Sequence, residues 1–493
     1  MSSIELEKYF DKFRKNIIGN DLEYDFDGGK KPVLYADWAA SGRLYRSIEN
    51  YITDTLGPYV ANTHTETNLT GTVMTSAYHQ AHLIIKKHMN ASTDDILLFA
   101  GFGMTAVINK FQRILGLRIP EKFKDKITIC ESEKPLVIIT HMEHHSNQTT
   151  WEECCCDVAI LCKKSDGTPN LASLREILEA NKHRKLIIGS FTACSNVTGI
   201  ITPIHEMAAI MHEFGGLCFI DYSASAPYVK IDMHPTKERE ALDAVFFSPH
   251  KFLGGPGSSG VIVFDKNLYH NTVPDHPGGG TVLWTNPWGS HRYFDNIETR
   301  EDGGTPGFLQ AIRASLAILL KEAMGEEAML QREHRLTSIL MDELCQVDGI
   351  QMLEPGNRNR IGFVSFYSME VHHNLFVKLL NDKFGIQVRG GCLCAGTYGH
   401  LLLNIDHEKS KKITDRINHG DLSQKPGWVR ISLHPTMHDD EVQYIAQAVR
   451  EILANYQKWQ QDYCFNPHTG DFETAGHSGQ YISLKDTFRP FRD

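Results

Sequence analysis

The feature that most restricts how this chain can fold is a series of short β-branched runs spread over its first half. They are Leu136-Val-Ile-Ile-Thr140, Leu186-Ile-Ile-Gly-Ser190, Leu217-Cys-Phe-Ile-Asp221, Ala244-Val-Phe-Phe-Ser248 and Gly260-Val-Ile-Val-Phe264. None alternates strictly between apolar and polar residues, the pattern of strands covered on both faces, as in a largely parallel sheet. Between the second and third runs, Ile204, Met207, Ala208, Met211 and Phe214 fall on one helical face. Thr202 is the expected N-cap of that helix, Pro203 its first-turn residue, and Gly215-Gly216 its stop. Strand, helix, strand in this order is a parallel crossover unit. Residues 32–310 are therefore expected to form one large α/β domain.

Beyond residue 311 the pattern changes. Residues 311–348 read as one or two long helices, Ile361–Phe366 and Trp428–Ser432 as strands, and Asp439–Leu453 as a charged helix, which predicts a smaller α+β domain over 311–457. Asn404–Gly427, polar and lysine-rich, is expected to be a long loop. The N-terminal 1–31 reads as an amphipathic helix and linker packing on the small domain, and 458–493 as an extension without clear periodicity.

Fifty Lys+Arg against sixty Asp+Glu give a formal charge of −10. With no basic block, nucleic acid is an unpromising partner, because that affinity comes largely from cations neutralising phosphates. No run reaches the roughly 18 apolar residues of a membrane span, and no apolar signal core follows the N-terminus. Eleven scattered cysteines do not form a disulfide framework, so reduced thiols in the cytoplasm are the expectation. Cys154-Cys155-Cys156 is expected to pack on a strand with side chains on alternate faces, unable to converge on one ion. Cys392 and Cys394 lack a second ligand pair, and no metal site is expected.

Chemistry concentrates at Ser248-Pro-His-Lys251-Phe-Leu-Gly-Gly-Pro-Gly-Ser-Ser-Gly260, between two apolar runs. A lysine at the mouth of such a sheet, among small residues, is a candidate Schiff-base amine. No Gly-Lys-Ser/Thr follows, so this is not a P-loop. Asp221 ends its own run at the same edge, where a carboxylate can keep a pyridine nitrogen protonated. Ala100-Gly-Phe-Gly103-Met-Thr105 opens a helix whose first N–H groups, with the Thr105 hydroxyl, suit a phosphate. Gly101-x-Gly103-x-x-Ala106 is not a dinucleotide fingerprint, lacking the third glycine and the βαβ setting. Taken singly, each has an ordinary reading: a surface lysine before a turn, a turn-capping aspartate, a helix start.

Together with Met142-Glu-His-His-Ser-Asn147, Cys194-Ser-Asn-Val-Thr-Gly199 and Arg389-Gly-Gly-Cys-Leu-Cys394-Ala, these segments resemble, in order and spacing, the class V group of pyridoxal-phosphate enzymes. Within that group the chain is most similar to cysteine desulfurases and selenocysteine lyases, over residues 34–453. The resemblance implies a fold type I transferase with a mainly parallel, seven-stranded-type sheet and a smaller C-terminal domain. It implies pyridoxal 5′-phosphate, joined to Lys251 and partnered at its ring nitrogen by Asp221. His144 matches the imidazole over the ring. Gly103, Met104, Thr105, Ser248 and His250 match the phosphate cup, and Asn196 the residue reaching both cofactor and substrate. Thr305 matches a threonine lent to the neighbouring subunit's phosphate, implying a homodimer with shared active sites. Arg389 and Arg430 match the guanidiniums that bind the substrate carboxylate, and His64 falls one position from a family histidine. Cys394 matches the thiol that takes sulfur as a persulfide and hands it to an acceptor protein, with Cys392 placed to resolve it.

The resemblance implies removal of sulfur or selenium from cysteine or selenocysteine, giving alanine. The alternative is another class V reaction, an aminotransferase, epimerase or lyase acting on a different amino acid. Three departures bear on that choice. Ala224 stands where relatives often carry a Gln or His donor, the Cys394 to Arg430 interval is longer, and the aromatic tail is additional.

Overall fold

Seven strands hydrogen-bond in the order Asp95–Ala100, Gly260–Asp265, Ala244–Phe247, Leu217–Asp221, Ile187–Thr192, Leu136–Ile139, Asp157–Ile160. Six point the same way, and Gly260–Asp265 alone is antiparallel to both its neighbours. The computed structural model describes residues 3–26 and 29–474. Alternation along each strand feeds two apolar layers. Leu136 and Ile138 enter one core with Ile220, Val245 and Met207, while Val137 and Ile139 enter the other with Phe219, Phe246 and Phe111. This double burial is why the runs are continuously apolar.

A second sheet orders Ile350–Met352, Phe363–Ser368, Trp428–Ser432 and Arg389–Gly391, all antiparallel. The helices Glu326–Leu344, His373–Phe384 and Asp439–Trp459 share its core, through residues such as Leu336, Phe376 and Val449. Leu6, Phe10 and Phe13 of the helix Ser3–Arg14 enter this same core. Arg14 forks onto Glu441 at 2.8 and 2.7 Å, and Glu7 meets Arg332 at 2.7 Å.

Several expectations are corrected. The lysine-rich stretch is no loop throughout: His407–Asn418 is a helix, started by the Asp406 carboxylate accepting from the Lys409 N–H at 2.8 Å. It escapes periodicity because its only apolar side chains are Ile413 and Ile417, both half-buried. Pro203, not Thr202, holds the N-cap position of Ile204–Glu213, and the Thr202 hydroxyl is buried without a partner. Cys154, Cys155 and Cys156 lie in bends ahead of the edge strand Asp157–Ile160, with Cys154 and Cys156 buried in the core. The tail forms a hairpin, Tyr463–Asn466 with Asp471–Thr474. Residues 475–493 of the expected extension, and residues 1, 2, 27 and 28 of the expected N-terminal segment, lie outside the described residues.

Candidate functional site

The strand register delivers the chemistry to one edge. Asp221 pairs with Thr192 on one side and Phe246 on the other, so the carboxylate closes its strand where Ser248 to Lys251 leave theirs. A cleft of about 860 Å³ opens above this edge. Lys251 ends a short turn of 3₁₀ helix, Pro249–Lys251, and lines the cleft together with Asp221. Burial drives its pKa down to about 8, against the attraction of Asp221 and with help from Arg430 and Arg389. Roughly a tenth of the amine is then unprotonated at pH 7, far more than for an ordinary lysine, and that is the form that attacks a carbonyl. Asp221 is 4% exposed and accepts the Ser223 N–H at 2.8 Å. Burial raises its pKa, while Ser223 and Lys251 oppose the rise.

At the far end, Gly103 precedes the helix Met104–Ile114, whose first residues line the cleft. The Met104 N–H donates to Ser248 Oγ at 2.8 Å, and Thr105 Oγ1 lies 2.7 Å from Ser146 Oγ. A Cβ at residue 103 would sit 3.1 Å from Ser248 Oγ, filling the cradle. Burial and Lys251 depress His250 to about 4, and the same causes, with His145 and Arg430, depress His144 to about 3. Both rings are neutral donors or acceptors, not cations.

On the facing wall, register places Arg389 opposite Arg430 on adjacent strands. Such a like-charge pair needs a counter-ion, and Asp37 supplies it: Oδ1 accepts from Arg430 at 2.8 Å and Oδ2 from Arg389 at 3.2 Å. Arg430 is buried and also donates to the Asn196 carbonyl at 2.8 Å, whereas Arg389 is exposed and has Asp37 as its one carboxylate partner among the described residues. The segment around Asp37 touches both walls. Ser432 N–H donates to the Ala36 carbonyl at 2.8 Å, Gly42 N–H to the His250 carbonyl at 2.9 Å, and Gly254 N–H to the Arg43 carbonyl at 2.7 Å. Asp37 was not legible beforehand, since its partners stand more than 350 residues downstream.

Cys394 is exposed and lines the cleft opposite Lys251. Asn196 donates Nδ2 to the Leu393 carbonyl at 2.9 Å, leaving a buried Oδ1 with no partner. Ala224 also lines the cleft and brings no polar side chain. Two expected residues are elsewhere in the chain: Thr305 is exposed, bonded to Asn62 at 3.4 Å, and His64 lies 3.9 Å from Asp302, neither lining the cleft. Glu143 was missed as well. It is buried, raised to about 7 by desolvation, and holds Thr140, Asn147 and the Thr192 N–H together behind Asp221.

An amine of lowered basicity, a buried carboxylate and a helix N-terminus lining the same cleft, and an orphaned amide oxygen together fit one group, a phosphorylated pyridine aldehyde. That defines the class: a pyridoxal-phosphate enzyme. The chain belongs to the aminotransferase class-V family, whose sequence profile matches residues 34–445. A probable cysteine desulfurase of Halalkalibacterium halodurans is 28% identical over 399 residues, 80% of this chain and 89% of the relative. One from Staphylococcus epidermidis is 27% identical over 375 residues, 74% and 84% of the two chains. Among solved structures, the apo cysteine desulfurase of Thermococcus onnurineus superposes with a TM-score of 0.71 at 20% identity, covering 90% of this chain and 98% of the other. The Escherichia coli cysteine desulfurase CsdA, in an S-sulfonic acid form, gives 0.68 at 18%, covering 92% and 99%. At these identities the structural likeness speaks for the fold.

Proposed function

We propose that this enzyme removes sulfur from cysteine, or selenium from selenocysteine, and releases alanine. The observation that carries the reading is an exposed thiol, Cys394, at the mouth of the cleft whose floor holds Lys251. Pyridoxal phosphate, when bound, supplies an aldehyde for an amine and a ring that accepts electron density from the substrate Cα. In this reading Gly103, Met104, Thr105, Ser248 and His250 hold its phosphate, Asp221 keeps a proton on the ring nitrogen, and the neutral His144 covers the ring. Asn196 Oδ1 accepts a hydrogen bond from the cofactor's ring hydroxyl, the partner it lacks here. Arg389, with Arg430 fixed behind it, grips the substrate carboxylate bidentately. Lys251 Nζ takes the Cα proton, a transfer suited to a pKa near 8. The Cys394 thiolate takes the sulfur as the carbon–sulfur bond breaks, and an acceptor protein then receives it.

The same reading makes the protein a homodimer in which Thr305, a surface group here, serves the partner's cleft. It acts in the cytoplasm, supported by eleven cysteines that are all free. Among the described residues no helix is long and apolar enough to cross a membrane. The units of the reading are 32–310, binding the cofactor, and 311–457, carrying the arginines and the thiol.

The test is alanine release from cysteine and from selenocysteine by the loaded enzyme and two variants. Loss of alanine in both Lys251→Ala and Cys394→Ser with cysteine supports the desulfurase. Selenocysteine turnover that survives Cys394→Ser alone points to the lyase branch. Turnover of some other amino acid, with no persulfide formed from cysteine, sinks the proposal.

A further inference from the structure

The loop that carries Cys394 does not hold its shape by its own backbone preference. Leu393 and Cys394 sit at φ of 53° and 56°, two consecutive side-chain-bearing residues in the left-handed region. Such residues stay there only where surrounding contacts over-determine them. Three contacts reach the loop from outside. The His145 N–H donates to the Cys394 carbonyl at 2.7 Å, and His145 Nε2 accepts the Gly396 N–H at 2.9 Å. Asn196 Nδ2 donates to the Leu393 carbonyl at 2.9 Å. One residue, His145, therefore holds the loop twice just after the thiol-bearing Cα, at the Cys394 carbonyl and at the Gly396 N–H, while Asn196 holds it just before.

We propose that His145 is the positioning residue of the sulfur-accepting loop, setting where the Cys394 thiol stands while its neighbour His144 faces the cleft. The inference rests on the reading of Cys394 as sulfur acceptor. Accepting at Nε2 requires an unprotonated ring with its hydrogen on Nδ1. The surroundings favour that state: burial lowers its basicity most, Lys425 adds to the effect, and only Glu152 of its own helix opposes it. Lys425 belongs to the 404–427 stretch by which this chain departs from compact desulfurases, so the insertion reaches the loop electrostatically through this imidazole.

The backbone contact survives any substitution at 145, so the side-chain contact is the testable part. Two variants separate it from general packing: His145→Leu keeps bulk without an acceptor, and His145→Gln offers Oε1 in place of Nε2. In the loaded enzyme, His145→Leu should lower kcat for cysteine about tenfold to a hundredfold, the scale of a small misplacement of a reacting group. KM should stay within about twofold, and selenocysteine turnover, which needs the thiol less, within about threefold. The rate at which iodoacetamide alkylates Cys394, read by peptide mass spectrometry, should change severalfold. His145→Gln should restore both readouts. Unchanged alkylation and cysteine turnover in His145→Leu overturn the inference, as does a parallel loss of selenocysteine turnover. Should Cys394→Ser keep full cysteine turnover, the desulfurase reading fails, and the alkylation rate still decides whether His145 sets the loop.

Discussion

Asp37 illustrates how one side chain can decide the state of two others. Removing it leaves the Arg430 guanidinium buried beside Arg389 with its carboxylate partner gone, the costly way to break a buried pair. Asp37→Ala should lower unfolding free energy by about 3–5 kcal/mol, measured by urea titration, and Asp37→Asn by less, because the amide oxygen still accepts. Gly101 offers a second test. It sits at φ +51°, and a Cβ there would lie 2.5 Å from the Ala106 methyl. Gly101→Ala should weaken pyridoxal phosphate binding about tenfold, roughly 1.4 kcal/mol, followed by absorbance titration, and should lower the melting temperature as well, because the left-handed backbone and the Ala106 contact strain the folded chain. Lys251 and Asp221 were legible in the sequence because Asp221 closes an apolar strand and Lys251 follows another in a Gly-rich turn, so neither needs a distant partner to be noticed. Asp37 and His145 were not, since what defines them is a neighbour brought in by the fold.

At the scale of elements, legibility followed burial. Leu217–Asp221 and Trp428–Ser432 have the bounds that their apolar runs predict. The edge strand Asp157–Ile160 and the helix His407–Asn418 were not anticipated, because their exposed faces dilute the pattern. That helix hangs on local chemistry: its Asp406 cap, and the bond of 2.8 Å from Ser410 Oγ to His400 Nε2 on the helix behind the Cys394 loop. Asp406→Ala should cost about 1 kcal/mol locally. Hydrogen exchange at the Lys409 amide should accelerate, while the global unfolding midpoint holds.

For the molecule as a whole, buried histidines set the acid limit. His88, His141, His144, His250, His373 and His434 are each driven to about 3 or 4, in every case chiefly by burial. Their unfolded value lies near 6.5, so below that pH the unfolded chain binds protons that the folded chain refuses, and stability falls as pH drops. Glu143 and Glu333, raised to about 7 and about 8 by burial, work the other way near pH 5, where only the folded state keeps them protonated. The histidines outnumber them, and unfolding at pH 5 should take up about four protons. Calorimetry in buffers of differing ionisation enthalpy counts that uptake, and a urea midpoint flat from pH 7 to 5 would contradict it.

The stretch from Ala36 to Arg43 is stitched to the arginine strand at one end and to the lysine turn at the other. It acts as a splint across the two jaws of the active site. The jaws cannot swing wide without tearing those backbone bonds, and a single proteolytic nick in this splint would release the lysine turn from the arginine strand.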